Sequence, residues 1–248
     1  MAKILGIDVG GSGIKAALVD TVGGELVSER RRIATPDPST PQNVAATVKR
    51  LVAGFDYSGT VGCCFPAVVI DGQAKTAGNI DKAWRNTQID TLFGDATGLP
   101  FVVLNDADAA GMAEMTLGAG IGLQGMVIMI TIGTGLGSGV FYNGQLIPNI
   151  ELGRMPGKDG EPIEFYAGNR ARKVNDLSWV EWAPRFNYFL ERTARVFSPD
   201  HFILGGGAST KFRQFEKAIK VPTTIHVARF LNNAGIIGAA VAADKDNQ

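Results

Sequence analysis

The chain has 248 residues with 24 Lys or Arg and 24 Asp or Glu, a formal charge of zero, 45% hydrophobic residues and 32 glycines. That length holds one large domain or two modest ones, zero net charge excludes bulk attraction to nucleic acid or membrane, and the hydrophobic content excludes a disordered chain. No apolar run reaches about 18 residues and no basic segment leads into a long apolar core at the start, so neither a spanning helix nor a leader is expected and the cytoplasm is the expected compartment.

In chain order, "KILGID", "GIKAALVD" and "LVSERRRIA" read as three strands joined by short glycine-bearing turns, an opening antiparallel meander. A helix follows from about Thr40 to Ala53, with Val44, Val48, Leu51 and Val52 spaced for one apolar face. Next come a strand at "GTVGCCF", a loop through "AGNIDKAWRN", and a buried strand "PFVVLND" that stops at Asp106 and leads into a helix at "ADAAGMAEM". "MVIMITIGTG" and "GSGVFYNGQLI" then repeat the opening pattern of strand, glycine turn, strand, the second with an Asn-Gly turn signal. Such internal similarity predicts two related lobes. Trp179, Trp182, Phe186, Phe189, Leu190 and Val196 mark a long amphipathic helix from Leu177 to Phe197, serving either a core or a dimer interface. "DHFILGGGAS" is a further buried strand, followed by a polar helix near Lys211 to Ile219 and a small apolar helix from Ala234 to Ala243.

Three glycine turns end predicted strands: Asp8 to Gly13, Thr131 to Gly139 and Leu204 to Ser209. Glycine lets backbone N–H groups approach an anion without a side chain in the way, although a tight hairpin explains any single such turn. Three together, one followed by Lys15, point to phosphate handling. No P-loop pattern occurs, and the one GxGxxG match, Gly120, Gly122 and Gly125, follows a helix and precedes a strand, the wrong order for a dinucleotide. The two histidines, His201 and His226, form no zinc pattern and read as structural. The adjacent Cys63 and Cys64 cannot staple distant parts of a fold and read as buried reduced thiols.

At the strand-to-helix corner stand Asn105 and Asp106, with Asp108 two residues on. A carboxylate held there by a rigid element can accept a proton from a hydroxyl attacking phosphorus. Helix capping explains the same residues equally well, and Asp108 reads as first-turn charge.

"GIDVGGSGIK", "FPAVV", "AGNIDKAWRN", "VVLNDADAAGMAEM", "TIGTGLGSG", "ELG" and "FILGGGAS", taken in order over nearly the whole chain, resemble the ROK sugar kinases, closest to their polyphosphate-dependent glucokinase branch. The resemblance implies the α/β, two-lobed actin/hexokinase-like (ribonuclease H-like) fold with sugar and phosphoryl donor meeting in a central cleft. It implies lobes over 1–105 and 106–233, with 234–248 returning to the first. Asp8, Gly10, Gly11, Ser12, Gly13 and Lys15 would form the first phosphate loop, with Asp8 near the metal. Gly133, Thr134, Gly135 and Gly137 would form the second, and Gly205, Gly206 and Gly207 would lie beside a nucleotide's adenosine.

By the same resemblance Asp106 is the base for the sugar 6-hydroxyl, and Asn79, Asn105, Glu151 and Glu164 are sugar contacts. The family's zinc-binding cysteines are absent, so no structural zinc is expected; Mg²⁺ is, because a transferring phosphoryl group needs its charge neutralised. Arg154 stands where the family has histidine. Guanidinium only donates and stays charged. Arg154 therefore either pairs with Glu151 or Glu164 and leaves glucose binding weakened, meets an anionic or otherwise altered substrate, or points away. "ERRR" from Glu29 to Arg32, Lys82, Arg85, and "NRARK" from Asn169 to Lys173 either line a track for a polyanion longer than a nucleotide or are solvated surface charge.

The expected activity is transfer from inorganic polyphosphate, ATP or both to the 6-hydroxyl of glucose or mannose, with no nucleic-acid or membrane partner and with the homodimer common in the family. The alternatives are a kinase for an anionic or amino sugar and a non-catalytic sugar-binding regulator. The DNA-binding segment of the family's repressors is not expected, since the first strand begins at Lys3.

Overall fold

A computed structural model describes residues 3–78 and 80–246. The chain divides into two compact units, Met1–Ala113 with Asn233–Gln248, and Glu114–Asn232.

In the first unit the opening meander is β1 (Lys3–Val9), β2 (Ile14–Asp20) and a third strand split into β3 (Glu25–Leu26) and β4 (Arg31–Ile33), both antiparallel to β2. The split has a local cause: the Leu18 N–H donates to the Ser28 hydroxyl at 2.9 Å, so a side chain takes the place of a ladder bond. Helix α1 (Pro41–Val52) starts where Thr40 accepts the Asn43 N–H and Pro41 fills the first position. Its Val44, Val48, Leu51 and Val52 are buried as spaced. β5 (Val61–Phe65) lies parallel to β1, and a short hairpin of β6 (Val69–Ile70) and β7 (Gln73–Ala74) leads to a 3-10 turn at Lys82–Trp84. Helix α2 (Ile89–Thr97), absent from the sequence expectations, buries Ile89 and Phe93 beside the fully buried Trp84. β8 (Phe101–Asn105) runs parallel to β5, and α3 (Asp106–Leu117) follows without a break.

Leu5, Ile7 and Val9 of β1 and Cys63 and Phe65 of β5 face the main core with residues of α1 and α2. The alternate positions face the other way, where Cys64 packs with Ala109 of α3 and with Ala239 of the last helix, α7 (Ala234–Asp246).

The second unit repeats the plan. β9 (Met126–Ile132) and β10 (Leu136–Tyr142) form a hairpin, and β11 (Gln145–Ile147) joins through Asn143 and Gly144, both at positive φ, 49° and 79°. These fit the turn that an Asn-Gly pair favours. After the short helices α4 (Glu164–Ala167) and α5 (Asn169–Val174) comes α6 (Trp179–Phe197), opened by a Ser178–Glu181 capping box. Its Trp182, Phe186, Phe189 and Leu190 are fully buried in this unit's core. β12 (His201–Gly205) and β13 (Thr224–Val227) complete the sheet in parallel with β9. The polar helix expected near Lys211 is instead 3-10, over Gly207–Gln214 and Glu216–Ala218. Phe215, at the break between the two stretches, packs against Trp179, Trp182 and Phe186 of α6, and Phe212 meets the Phe215 ring edge-on.

The two sheets share one strand order, β3-β2-β1-β5-β8 and β11-β10-β9-β12-β13, with the same senses of pairing. No helix among the described residues is long and apolar enough to cross a membrane.

Candidate active site

The first glycine turn joins β1 to β2. Its Gly10 N–H bonds the Gly13 carbonyl at 3.1 Å, with Gly11 and Ser12 exposed at the tip. Arg32 donates to the Ser12 carbonyl at 2.6 Å, and the Thr35 hydroxyl donates to the Gly10 carbonyl. Both oxygens are thus turned back onto protein, which suits a turn whose N–H groups serve an anion. At its foot Lys15 and Asp8 face each other across the ladder, Nζ to Oδ2 at 2.8 Å.

Asn105 ends β8 with its amide committed: Nδ2 donates to the Ala67 carbonyl at 3.0 Å, and Oδ1 accepts the N–H groups of Ala107 and Asp108 at 2.8 and 3.1 Å. It caps α3. Asp106, the first residue of α3, is exposed, and its Oδ1 accepts the Ala107 N–H at 2.9 Å. Capping and a solvent-facing carboxylate therefore coexist at this corner on neighbouring residues. Asp108 is buried at 1% exposure, not the surface charge expected of a first turn. Asn79 lies outside the described residues.

In the second unit the equivalent hairpin turn is Gly133–Gly135, closed by the Gly133 N–H on the Gly135 carbonyl at 3.1 Å. Gly137 is not part of it; it sits within β10 opposite Thr131. A cavity of about 400 Å³ opens beside the turn, lined by Ile132, Gly133, Thr134, Asn169, Arg170, Lys173, Val174 and Gly207. The second and third glycine turns thus share one cavity, to which α5 adds two cations. Of the third turn only Gly207 lines it; Gly205 is still in β12, paired with Thr131.

Glu151 is held by its neighbours, because the buried Ser138 hydroxyl donates to the Ile150 carbonyl and accepts the Leu152 N–H. Glu164 opens α4 and reaches the glycine turn: its Oε2 accepts the Leu136 N–H at 3.2 Å and lies where a Cβ on Gly135 would be, 1.9 Å from that point. A larger residue at Gly135 would have to displace the Glu164 carboxylate. Arg154 Nε is 3.6 Å from Glu164 Oε1, so of the alternatives for this residue the structure shows the carboxylate pairing. Loss of water around the Glu151 carboxyl raises its pKa; Arg154 pulls it down and the Glu164 charge pushes it up.

The basic clusters divide. Arg30 donates to Asn233 Oδ1, Arg31 lies 5.1 Å over the Phe55 ring and Arg32 braces the first turn, so "ERRR" is committed to the fold. In "NRARK", Arg172 stacks 4.1 Å over Trp179, while Arg170 and Lys173 line the cavity. The bracing by Thr35 and the contact of Cys64 with Asp8 have no local sequence signal; each joins segments distant along the chain. Both cysteines are free and buried, and burial first, then the Asp8 charge, pushes their thiols up.

Among the described residues no three carboxylate, imidazole or thiol groups converge as a metal cage. Mg²⁺ binds through one or two carboxylates with substrate phosphates and water, and Asp8, beside the first glycine turn, is a donor of that kind.

Comparison with known proteins places this geometry. The model of the ROK family matches residues 4–151. The polyphosphate glucokinase of Mycobacterium tuberculosis H37Rv is 41% identical over 97% of this chain and 91% of its own length. That of Mycobacterium leprae is 38% identical over 97% of the chain and 74% of its own. The inorganic polyphosphate/ATP-glucomannokinase of Arthrobacter sp. strain KM superposes with a TM-score of 0.94 at 40% identity, covering 99% of this chain and 100% of that one. A ROK glucokinase of Streptomyces griseus, solved with glucose and AMPPNP, gives 0.85 at 26% identity, covering 98% and 100%. The strand order of both units is that of the actin/hexokinase-like fold of these kinases.

Proposed function

The chain belongs to the ROK family, and on that premise we propose that it moves a phosphoryl group from inorganic polyphosphate or ATP to the 6-hydroxyl of glucose, with mannose as a second acceptor. Asp106 takes the hydroxyl proton as the sugar oxygen bonds to the terminal phosphorus. The bond from that phosphorus to its bridging oxygen breaks, leaving ADP or a polyphosphate one unit shorter. Gly10–Gly13 with Lys15, and Gly133–Gly135 with the cavity beside them, hold the donor. Glu151, Glu164, Asn79 and Asn105 hold the sugar. Asp8 would hold Mg²⁺, which would supply positive charge to the donor phosphates. A cytoplasmic setting, with its nucleotides and reduced thiols, suits this reading.

The observation that carries the reading is the pair of equivalent glycine hairpins, one per sheet, with Asp8 and Lys15 facing each other at the first. A neutral hexose is the acceptor on this reading, and the pairing of the half-exposed Arg154 with Glu164 is expected to weaken its binding without abolishing it. The test is product formation from a panel of hexoses with Mg²⁺ and either donor. Glucose 6-phosphate is expected; no product from any neutral hexose with either donor sinks the proposal.

A further inference from the structure

Three strands of the first unit set Lys15, Asp8 and Cys64 in one row. Asp8 is paired in register with Lys15 on one side and with Cys64 on the other. Residues opposite each other across a ladder share a face, here the face packed by α3 and α7. Lys15 Nζ donates to Asp8 Oδ2 at 2.8 Å, and the Cys64 thiol donates to Asp8 Oδ1 at 3.6 Å. Each carboxylate oxygen therefore has its own donor, one charged and one neutral. Cys64 is fully buried, and α7 packs closely over the pair: a Cβ on Gly235 would lie 3.0 Å from Sγ and 3.5 Å from Asp8 Cγ.

We infer that Cys64 is a positioning residue of the donor site, fixing the plane of the Asp8 carboxylate against Lys15. A thiol is a weak, uncharged donor, so it orients the group without adding charge and leaves lone pairs on both oxygens for a ligand. A second ammonium or guanidinium at this position would orient it as well but would compete with a phosphate-bound cation for the same charge. The inference rests on the proposed role of Asp8, and the contact is measurable without that role.

The chain has two cysteines, so its S–H infrared region holds two bands, assigned with Cys63→Ala and Cys64→Val. Asp8→Asn is expected to move the Cys64 band to higher frequency and leave the Cys63 band in place, because a neutral amide oxygen is the weaker acceptor. Cys64→Val, close in volume but without a donor, is expected to lower kcat or raise the Mg²⁺ concentration for half-maximal rate by about 10- to 100-fold, as outer partners of a ligating group do. The KM for glucose is expected to stay unchanged, and Cys64→Ser to recover part of the loss. A Cys64 band indifferent to Asp8→Asn overturns the inference. So does Cys64→Val with unaltered kcat and Mg²⁺ dependence, or a loss that tracks a fall in Tm and is not recovered by serine. If the unaltered protein transfers no phosphoryl group, the proposed function fails instead, and the infrared result still decides whether Cys64 holds Asp8.

Discussion

Arg154 and Glu164 are paired, Nε to Oε1 at 3.6 Å, and the other oxygen of Glu164 accepts the N–H of Leu136 at the end of the second glycine turn. A surface cation thereby bears on two carboxylates at once, since it also favours the charged form of Glu151. Arg154→Met removes an influence that lowers the Glu151 pKa. The acid limb of the pH profile of kcat/KM for glucose is expected to move to higher pH in this variant and to stay in place in Arg154→Lys. An unmoved limb in Arg154→Met would separate Glu151 from sugar binding.

Asp106 and Asn105 divide the work of the corner, the asparagine capping α3 and the aspartate facing solvent. Asp106→Asn keeps an acceptor for the Ala107 N–H, so the helix start survives while the base is lost. Turnover is expected to fall by roughly 10²–10⁴-fold with glucose binding retained. Calorimetric titration with glucose beside steady-state rates reads both, and a rate close to that of the unaltered protein refutes the assignment.

Arg170 and Lys173 bring their charge to the cavity beside Gly133 and Thr134. Replacing both with Ala is expected to raise the KM for polyphosphate by roughly 10- to 100-fold, about the worth of one hydrogen bond to a charged group, without changing that for glucose. Equal changes in the two constants would assign these cations to overall structure.

Gly238 packs α7 so tightly onto α3 that a Cβ on it would lie 1.7 Å from the Ala109 carbonyl oxygen. Backbone on both sides leaves nothing flexible to move. Gly238→Ala is expected to cost about 1–3 kcal/mol or more, as overpacking does, and to lower the urea midpoint. An unchanged midpoint would mean that the helices shift apart freely.

His226 Nε2 lies 3.2 Å from His201 Nδ1. Burial first, then the His201 charge, lowers the His226 pKa. Above the ordinary value near 6.5 both folded and unfolded chains hold it neutral. Below that value the unfolded chain takes up a proton that the folded one resists, so stability falls as pH drops through the folded pKa. His226→Gln is expected to flatten the fall of Tm in this window; an identical slope would remove the pair from the acid response.

The sequence by itself determined the elements whose residues are neighbours along the chain. The apolar spacing of α1 and α6, the Asn-Gly turn and the glycines closing β1 and β9 were legible because side-chain direction follows a fixed local period. So was the corner at Asn105 and Asp106, where an apolar strand meets capping residues. Helix α2 was not: nine residues containing Gly94 carry little periodic signal, and it is held by burying Ile89 and Phe93 beside Trp84. What only the tertiary structure decided is which distant groups meet. The commitment of Arg30, Arg31 and Arg32 to the fold depends on Asn233, Phe55 and the first glycine turn, and the pairing of Arg154 depends on where α4 begins. The row of Lys15, Asp8 and Cys64 depends on the register of three strands whose pairing no local pattern encodes, since a slip of one residue would turn each side chain to the opposite face.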